Sequence, residues 1–133
     1  MRICYLDASA LVKLVTPEAE TDALRAALDA YDARVTNRLA TVEVARALLR
    51  RGVASARLMD AVTVAFAGLA IMELDVATAD SAARIGPSIL RSLDAIHLAS
   101  ALAVGAELAG MVTYDSRLAD AARAAGLEVI APA

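Results

Sequence analysis

Short apolar runs alternate along this chain with amphipathic stretches of helical period, and that alternation constrains the fold more than any single residue does. Strands separated by helical crossovers lie parallel, and a parallel sheet needs both faces covered. The expected class is therefore α/β, with a mostly parallel sheet of four to five strands between helices. The opening turn sets the pattern. Ile3-Cys4-Tyr5-Leu6 reads as a strand, stops at Asp7, and gives way at once to a short helix, Ala8 to Val15, ended by Thr16-Pro17. In an open α/β sheet that puts Asp7 at the carboxyl end of a strand, over the crevice where such folds bind ligands.

The rest of the chain repeats the theme. A second helix is expected from Glu18 to about Tyr31, burying Leu24 and Leu28, followed by a weak strand at Ala33 to Thr36. Asn37 is a suitable cap for a helix from Arg38 to Arg51, stopped by Gly52, with Leu39, Val42, Ala45 and Leu49 as its apolar stripe. Glu43, Arg46, Ala47 and Arg50 share an adjoining face by their three-and-four spacing. A helix from Ser55 to Ala67, a strand at Ile71 to Asp75 and a helix from Ala77 to Ile85 come next. Ser92 then caps a long helix, Leu93 to Val104. Gly110 to Tyr114 is a strand, Asp115 follows it, Ser116 to Ala125 is helical, and Glu128 to Ile130 is a last short strand. No repeat or linker interrupts residues 1–133, which read as a single domain.

Apolar residues make up 59% of the chain and aromatics only 3%, so the core must be built from Leu, Val, Ile and Ala. The most apolar region, Ile96 to Val112, contains His97, Ser100 and Glu107, which is wrong for a membrane span. The apolar run between Arg2 and Asp7 is too short for a signal peptide, and a cytoplasmic location is expected. Cys4 is the only cysteine, which excludes intrachain disulfides and Cys-based zinc sites and suggests a buried small side chain.

Asp7 and Asp115 each end a strand, and Asp94 lies in the first turn of its helix. Taken singly, each is explained as a helix cap. Glu43 lies past the first turn of its helix, where an ion pair with Arg46 or Arg50 would be the ordinary explanation. Taken together, the four acids can face one crevice, because parallel units put all their strand-end turns on one side of the sheet. Converging carboxylates repel one another, and hard divalent cations such as Mg2+ or Mn2+ relieve that repulsion. Two such ions can assist displacement at a phosphodiester. The net charge of −3 argues against a nucleic-acid partner, but setting these four acids aside leaves the remainder slightly positive.

The segments Tyr5-Leu6-Asp7-Ala8-Ser9-Ala10-Leu11-Val12-Lys13, Arg91-Ser92-Leu93-Asp94-Ala95-Ile96-His97-Leu98-Ala99 and Val112-Thr113-Tyr114-Asp115-Ser116-Arg117-Leu118, with Glu43 between, resemble PIN-domain proteins. Within that family the resemblance is to the VapC toxins of toxin–antitoxin pairs, and it spans the whole chain in order and spacing. It implies a three-layer α/β/α domain and Mg2+- or Mn2+-dependent endoribonuclease activity. It further implies that Asp7, Glu43, Asp94 and Asp115 hold metal and orient a hydrolytic water, with Ser9 and Thr113 supporting them. A homodimer and a VapB-like antitoxin are the implied partners beside the RNA substrate.

Arg46 and Arg50, on the Glu43 face, and Arg38, Arg91 and Arg117, on the rim, are the candidate phosphate contacts. His97, one turn from Asp94, reads as a buried hydrogen-bonded residue rather than a base. Asp75 ends an edge strand and reads as a cap. Two other functions could use an acidic pocket. A phosphoacceptor receiver domain needs a lysine late in the chain, and Lys13 is the only one. A non-catalytic binding module would use the same acidic pocket to receive a basic partner.

Overall fold

The computed structural model describes Met1–Ala133. Its sheet has five strands in the order β3-β2-β1-β4-β5, all parallel. These are β1 (Ile3–Leu6), β2 (Ala33–Asn37), β3 (Ala70–Met72), β4 (Leu108–Val112) and β5 (Val129–Ile130). The helices between them are α1 (Ala8–Val15), α2 (Thr21–Leu28), α3 (Leu39–Arg50), α4 (Ser55–Phe66), α5 (Val76–Arg84), α6 (Ser92–Val104) and α7 (Ser116–Ala124). The two-residue period of a strand sends Cys4 and Leu6 to one face of β1 and Tyr5 to the other. Cys4 and Leu6 pack with Leu11, Leu24, Leu28, Val44, Leu48 and Val62 from α1 to α4. Tyr5 packs with Val35, Met111, Leu98 and Leu118, and so with α6 and α7. The result is a three-layer α/β/α arrangement. No helix is long and apolar enough to cross a membrane.

The strand order reverses direction at β1, whose two neighbours β2 and β4 are reached by opposite walks along the sheet. That switch opens a crevice at the carboxyl ends of β1 and β4. Asp7 lies on it, and its backbone N–H donates to Val112 O at 3.2 Å, extending the β1–β4 pairing past the strand ends.

Several boundaries differ from expectation for identifiable reasons. The second helix begins at Thr21 rather than Glu18, because the Thr21 hydroxyl accepts from the Glu18 N–H and donates to Lys13 O, holding Glu18 to Glu20 as a turn. Asn37 is the last residue of β2, yet its Oδ1 still accepts from Leu39 N at 3.0 Å. Ser92 does not cap α6; it is the first helical residue, and Arg91 occupies the cap position without a side-chain bond. The stripe expected on α3 is displaced: Ala40, Val44 and Leu48 are buried, whereas Val42 is 59% exposed. This helix carries apolar residues on more than one face, so two rows compete in the sequence, and the one at four-residue spacing, Ala40, Val44 and Leu48, is the one buried. Cys4 is buried as expected, and burial pushes its thiol up to about 11.

Candidate functional site

A cleft of about 830 Å³ opens over the switch point, and Asp7, Glu43, Asp94 and Asp115 all line it. Four separate elements deliver them. Asp7 is the N-cap of α1, and Asp115 the N-cap of α7. Glu43 projects from the second turn of α3, and Asp94 from the first turn of α6.

Asp7 is the anchor. It is only 3% exposed, and each of its oxygens is held. Oδ1 accepts from Ser9 Oγ at 2.7 Å and from Ala10 N at 3.0 Å, while Oδ2 accepts from Thr113 Oγ1 at 2.6 Å. The same two hydroxyls tie the β1–α1 turn to the β4–α7 turn. Ser9 Oγ accepts from Tyr114 N at 2.9 Å, and Thr113 Oγ1 accepts from Asp115 N at 3.1 Å. Ser9 and Thr113 thus support two of the acids at once. Burial raises the Asp7 pKa, against the lowering effect of the Thr113, Ser9 and Ala10 hydrogen bonds.

Asp115 spends one oxygen on its capping role, accepting from Arg117 N at 2.9 Å and Leu118 N at 3.0 Å. Asp94 is half-buried. Its pKa is raised first by burial and then by repulsion from Asp115, with Asp7 and Glu43 adding smaller amounts and nearby His97 opposing them. The Asp94 carboxylate therefore feels the charge of the other three.

Glu43 is not paired with Arg46 or Arg50. Its Oε1 meets His97 Nε2 at 2.6 Å, and His97 Nδ1 meets the Tyr5 hydroxyl at 2.7 Å. His97 is 1% exposed, as a hydrogen-bonded core residue should be.

The cations divide into committed and free. Lys13 pairs with Glu18 and with Glu20, Arg51 Nη1 pairs with the other Glu18 oxygen at 2.7 Å, and the Lys13 ammonium lies 4.6 Å from the Tyr114 ring centre. This cluster closes one end of the cleft with its charges already balanced. Arg46, Arg50 and Arg91 line the same cleft, exposed and without an acidic partner. Arg38 does not join them. It makes a forked pair with Glu73, Nη2 to Oε1 at 2.6 Å, beyond the carboxyl end of β3. Arg117 faces a neighbouring, more apolar cleft of about 840 Å³ that shares Arg91 and Asp94 with the first. Asp75 caps α5 by accepting from Thr78 N at 2.8 Å, at the sheet edge.

Sequence reading did not find Arg51 and Glu18 in the cleft, nor the contact between His97 and Glu43. No local signal joins residues 43 and 97, which meet only once the sheet has brought α3 and α6 together.

No three of the chain's Asp, Glu, His and Cys side chains are gathered into a ready-made ligand cluster. Mg2+ does not require one, since it keeps several waters and is commonly held by one or two carboxylates.

The model of the PIN domain family matches residues 4–124. The chain is 45% identical over 132 residues to Ribonuclease VapC46 of Mycobacterium tuberculosis, with 99% of each chain covered. It is 46% identical to Ribonuclease VapC35 of the same organism, with 96% of each covered. Among solved structures it is similar to VapC20 of M. tuberculosis, a toxin that cleaves the sarcin–ricin loop, with a TM-score of 0.75 and 16% identity over 97% of this chain and 99% of that one. VapBC2 of Rickettsia felis, bound to a DNA fragment from its promoter, gives a TM-score of 0.73 at 13% identity, covering 96% and 97%. At these identities the two structures speak for the fold alone.

Proposed function

This chain belongs to the PIN-domain family, and from that premise we propose that it is a divalent-metal-dependent endoribonuclease, the toxin of a VapBC-type toxin–antitoxin pair. The observation that carries this reading is the convergence of four carboxylates from four elements on one cleft, none of them ion-paired with a lysine or arginine.

In this reading Asp7, Glu43, Asp94 and Asp115 would hold Mg2+ or Mn2+, which would supply Lewis acidity and a water of lowered pKa. The chain's own groups do the rest. Ser9 and Thr113 fix both oxygens of Asp7, so the most buried acid cannot swing away from the cleft. Asp115 keeps one oxygen on the α7 N-terminus and presents the other. Arg46, Arg50 and Arg91 are free to grip RNA phosphates, and Arg117 extends that grip toward the neighbouring cleft. Arg38, already paired with Glu73, is the weakest of the arginine candidates. With only Phe66 and three tyrosines, all scattered, recognition leans on backbone and shape rather than on stacking.

A basic segment of a VapB-like antitoxin would find the same negative charge, and a guanidinium seated among the carboxylates would exclude the cation. The chain is further proposed to act as a single 1–133 unit, in the cytoplasm, as a homodimer.

Purified protein should cut total RNA in Mg2+ and stop when EDTA is added. Cutting of equal rate in EDTA would contradict metal dependence; no cutting in Mg2+ or Mn2+ would favour a binding role alone.

A further inference from the structure

Glu43 differs from the three aspartates in how it is held. Asp7 and Asp115 are fixed by backbone amides at helix N-termini, whereas Glu43 sits on a longer side chain in mid-helix, where no amide is free to bind it. What holds it comes from the opposite layer of the protein. His97 on α6 is buried against Tyr5 of β1, their rings edge to face at 5.7 Å, and the imidazole reaches Glu43 with Nε2.

An ionised carboxylate only accepts, so Nε2 carries the hydrogen. Nδ1 meets the Tyr5 hydroxyl at 2.7 Å, accepting from it in the neutral ring and donating to it in the protonated one. The Tyr5 oxygen lies beside the Ser100 and Thr36 hydroxyls, and Ser100 Oγ accepts from Asn37 Nδ2 at 3.0 Å. Asn37 in turn binds the first turn of α3, the helix that carries Glu43. A closed set of buried polar groups thus begins and ends on α3 and leaves no buried side-chain atom unpaired. It resembles in form the partners that orient a metal ligand through its non-ligating atoms.

We propose that Tyr5 and His97 are positioning residues for Glu43: Tyr5 fixes the imidazole, the imidazole holds Oε1, and Oε2 is left aimed at the cleft. Neither residue touches RNA. The proposal rests on the metal-site reading above. It predicts that cation recruitment depends on a hydroxyl buried under the sheet, on the far side of His97 from the cleft.

The test is Mn2+ titration by calorimetry, and RNA cleavage against Mn2+ concentration, on the full chain and on three variants shown by thermal unfolding to be folded at the assay temperature. Tyr5→Phe keeps the ring and removes only the hydroxyl. His97→Leu removes the donor, and His97→Gln restores an N–H near the position of Nε2. Tyr5→Phe and His97→Leu should weaken Mn2+ binding and raise half-saturating Mn2+ by about tenfold. Cleavage should recover at high Mn2+, and His97→Gln should lie closer to the parent than His97→Leu does. A packing role alone would lower the melting temperature and leave Mn2+ half-saturation unchanged, which would overturn the proposal. Parental Mn2+ affinity in Tyr5→Phe and His97→Leu would overturn it while leaving the metal site standing. A parent that binds no Mn2+ would overturn both.

Discussion

Asp7 carries two duties that ordinarily belong to different residues. It caps α1, and it lies buried at the floor of the acidic cleft. Asparagine caps as well as aspartate, so Asp7→Asn should fold while abolishing cleavage. Burial raises the Asp7 pKa in the fold above its unfolded value. That favours the protonated native form, a contribution fully present below about pH 4 and lost as pH rises through the raised folded value. In EDTA, therefore, the stability of the parent relative to Asp7→Asn should fall between pH 4 and pH 7.5, as chemical denaturation at the two pH values would measure. A flat difference would remove the buried charge from the account. Asp75 is the control. It too follows a strand and caps a helix, but at the sheet edge, so Asp75→Ala should cost about 1 kcal/mol of stability and leave cleavage intact. The sequence distinguishes these two acids only through the strand order it implies. It does not reveal the grip of Ser9 and Thr113 on Asp7, nor of His97 on Glu43, since those partners lie 54 to 106 residues apart or depend on a turn's exact path.

At the scale of elements, α3 does most of the work. One row, Ala40, Val44 and Leu48, packs under the sheet layer, and the row beside it presents Glu43, Arg46 and Arg50 to the cleft. The charged row was legible from spacing, because charge excludes a residue from the core. The apolar row was not, because alanine and valine at neighbouring positions fit either face until tertiary packing chooses. If Arg46 and Arg50 grip phosphates, RNA binding by the cleavage-dead Asp7→Asn protein should weaken with salt. Replacing either arginine by alanine should then flatten the slope of log K against log salt by about 0.7. An unchanged slope in both would assign the phosphate contacts elsewhere. On the far side of the sheet, β4 and β5 approach closely at Gly110, where an added Cβ would lie 2.7 Å from Ile130 Cδ1 and 3.0 Å from Glu128 O. Gly110→Ala should destabilise the protein by roughly 1–3 kcal/mol in denaturant titration, since the backbone contact cannot relax as a side chain can.

Over the whole molecule, function follows from a reversal in strand order. Parallel units deliver every strand-end turn to one side, and the switch between β1 and β4 gathers two of those turns around an opening that α3 and α6 flank. The alternation of strand and helix sufficed to infer this class and the shared crevice. The edge position of β3 was also legible; that of β5, the 3₁₀ turn at Gly105–Glu107 and the partition of helices between faces needed the packed chain. The cleft itself is balanced in charge, with five acids and five basic residues in its lining, so the acids proposed to hold cations and the arginines proposed to hold phosphates share one opening. The central claim is that these four acids act as one metal site for RNA cleavage. The most direct measurement is the rate of RNA cleavage in saturating Mg2+ by Asp7→Asn, Glu43→Gln, Asp94→Asn and Asp115→Asn, each matched to the parent by thermal unfolding. Every one should fall by about a hundredfold or more while remaining folded; parental rates in the folded variants would mean that the four acids do not form a metal site.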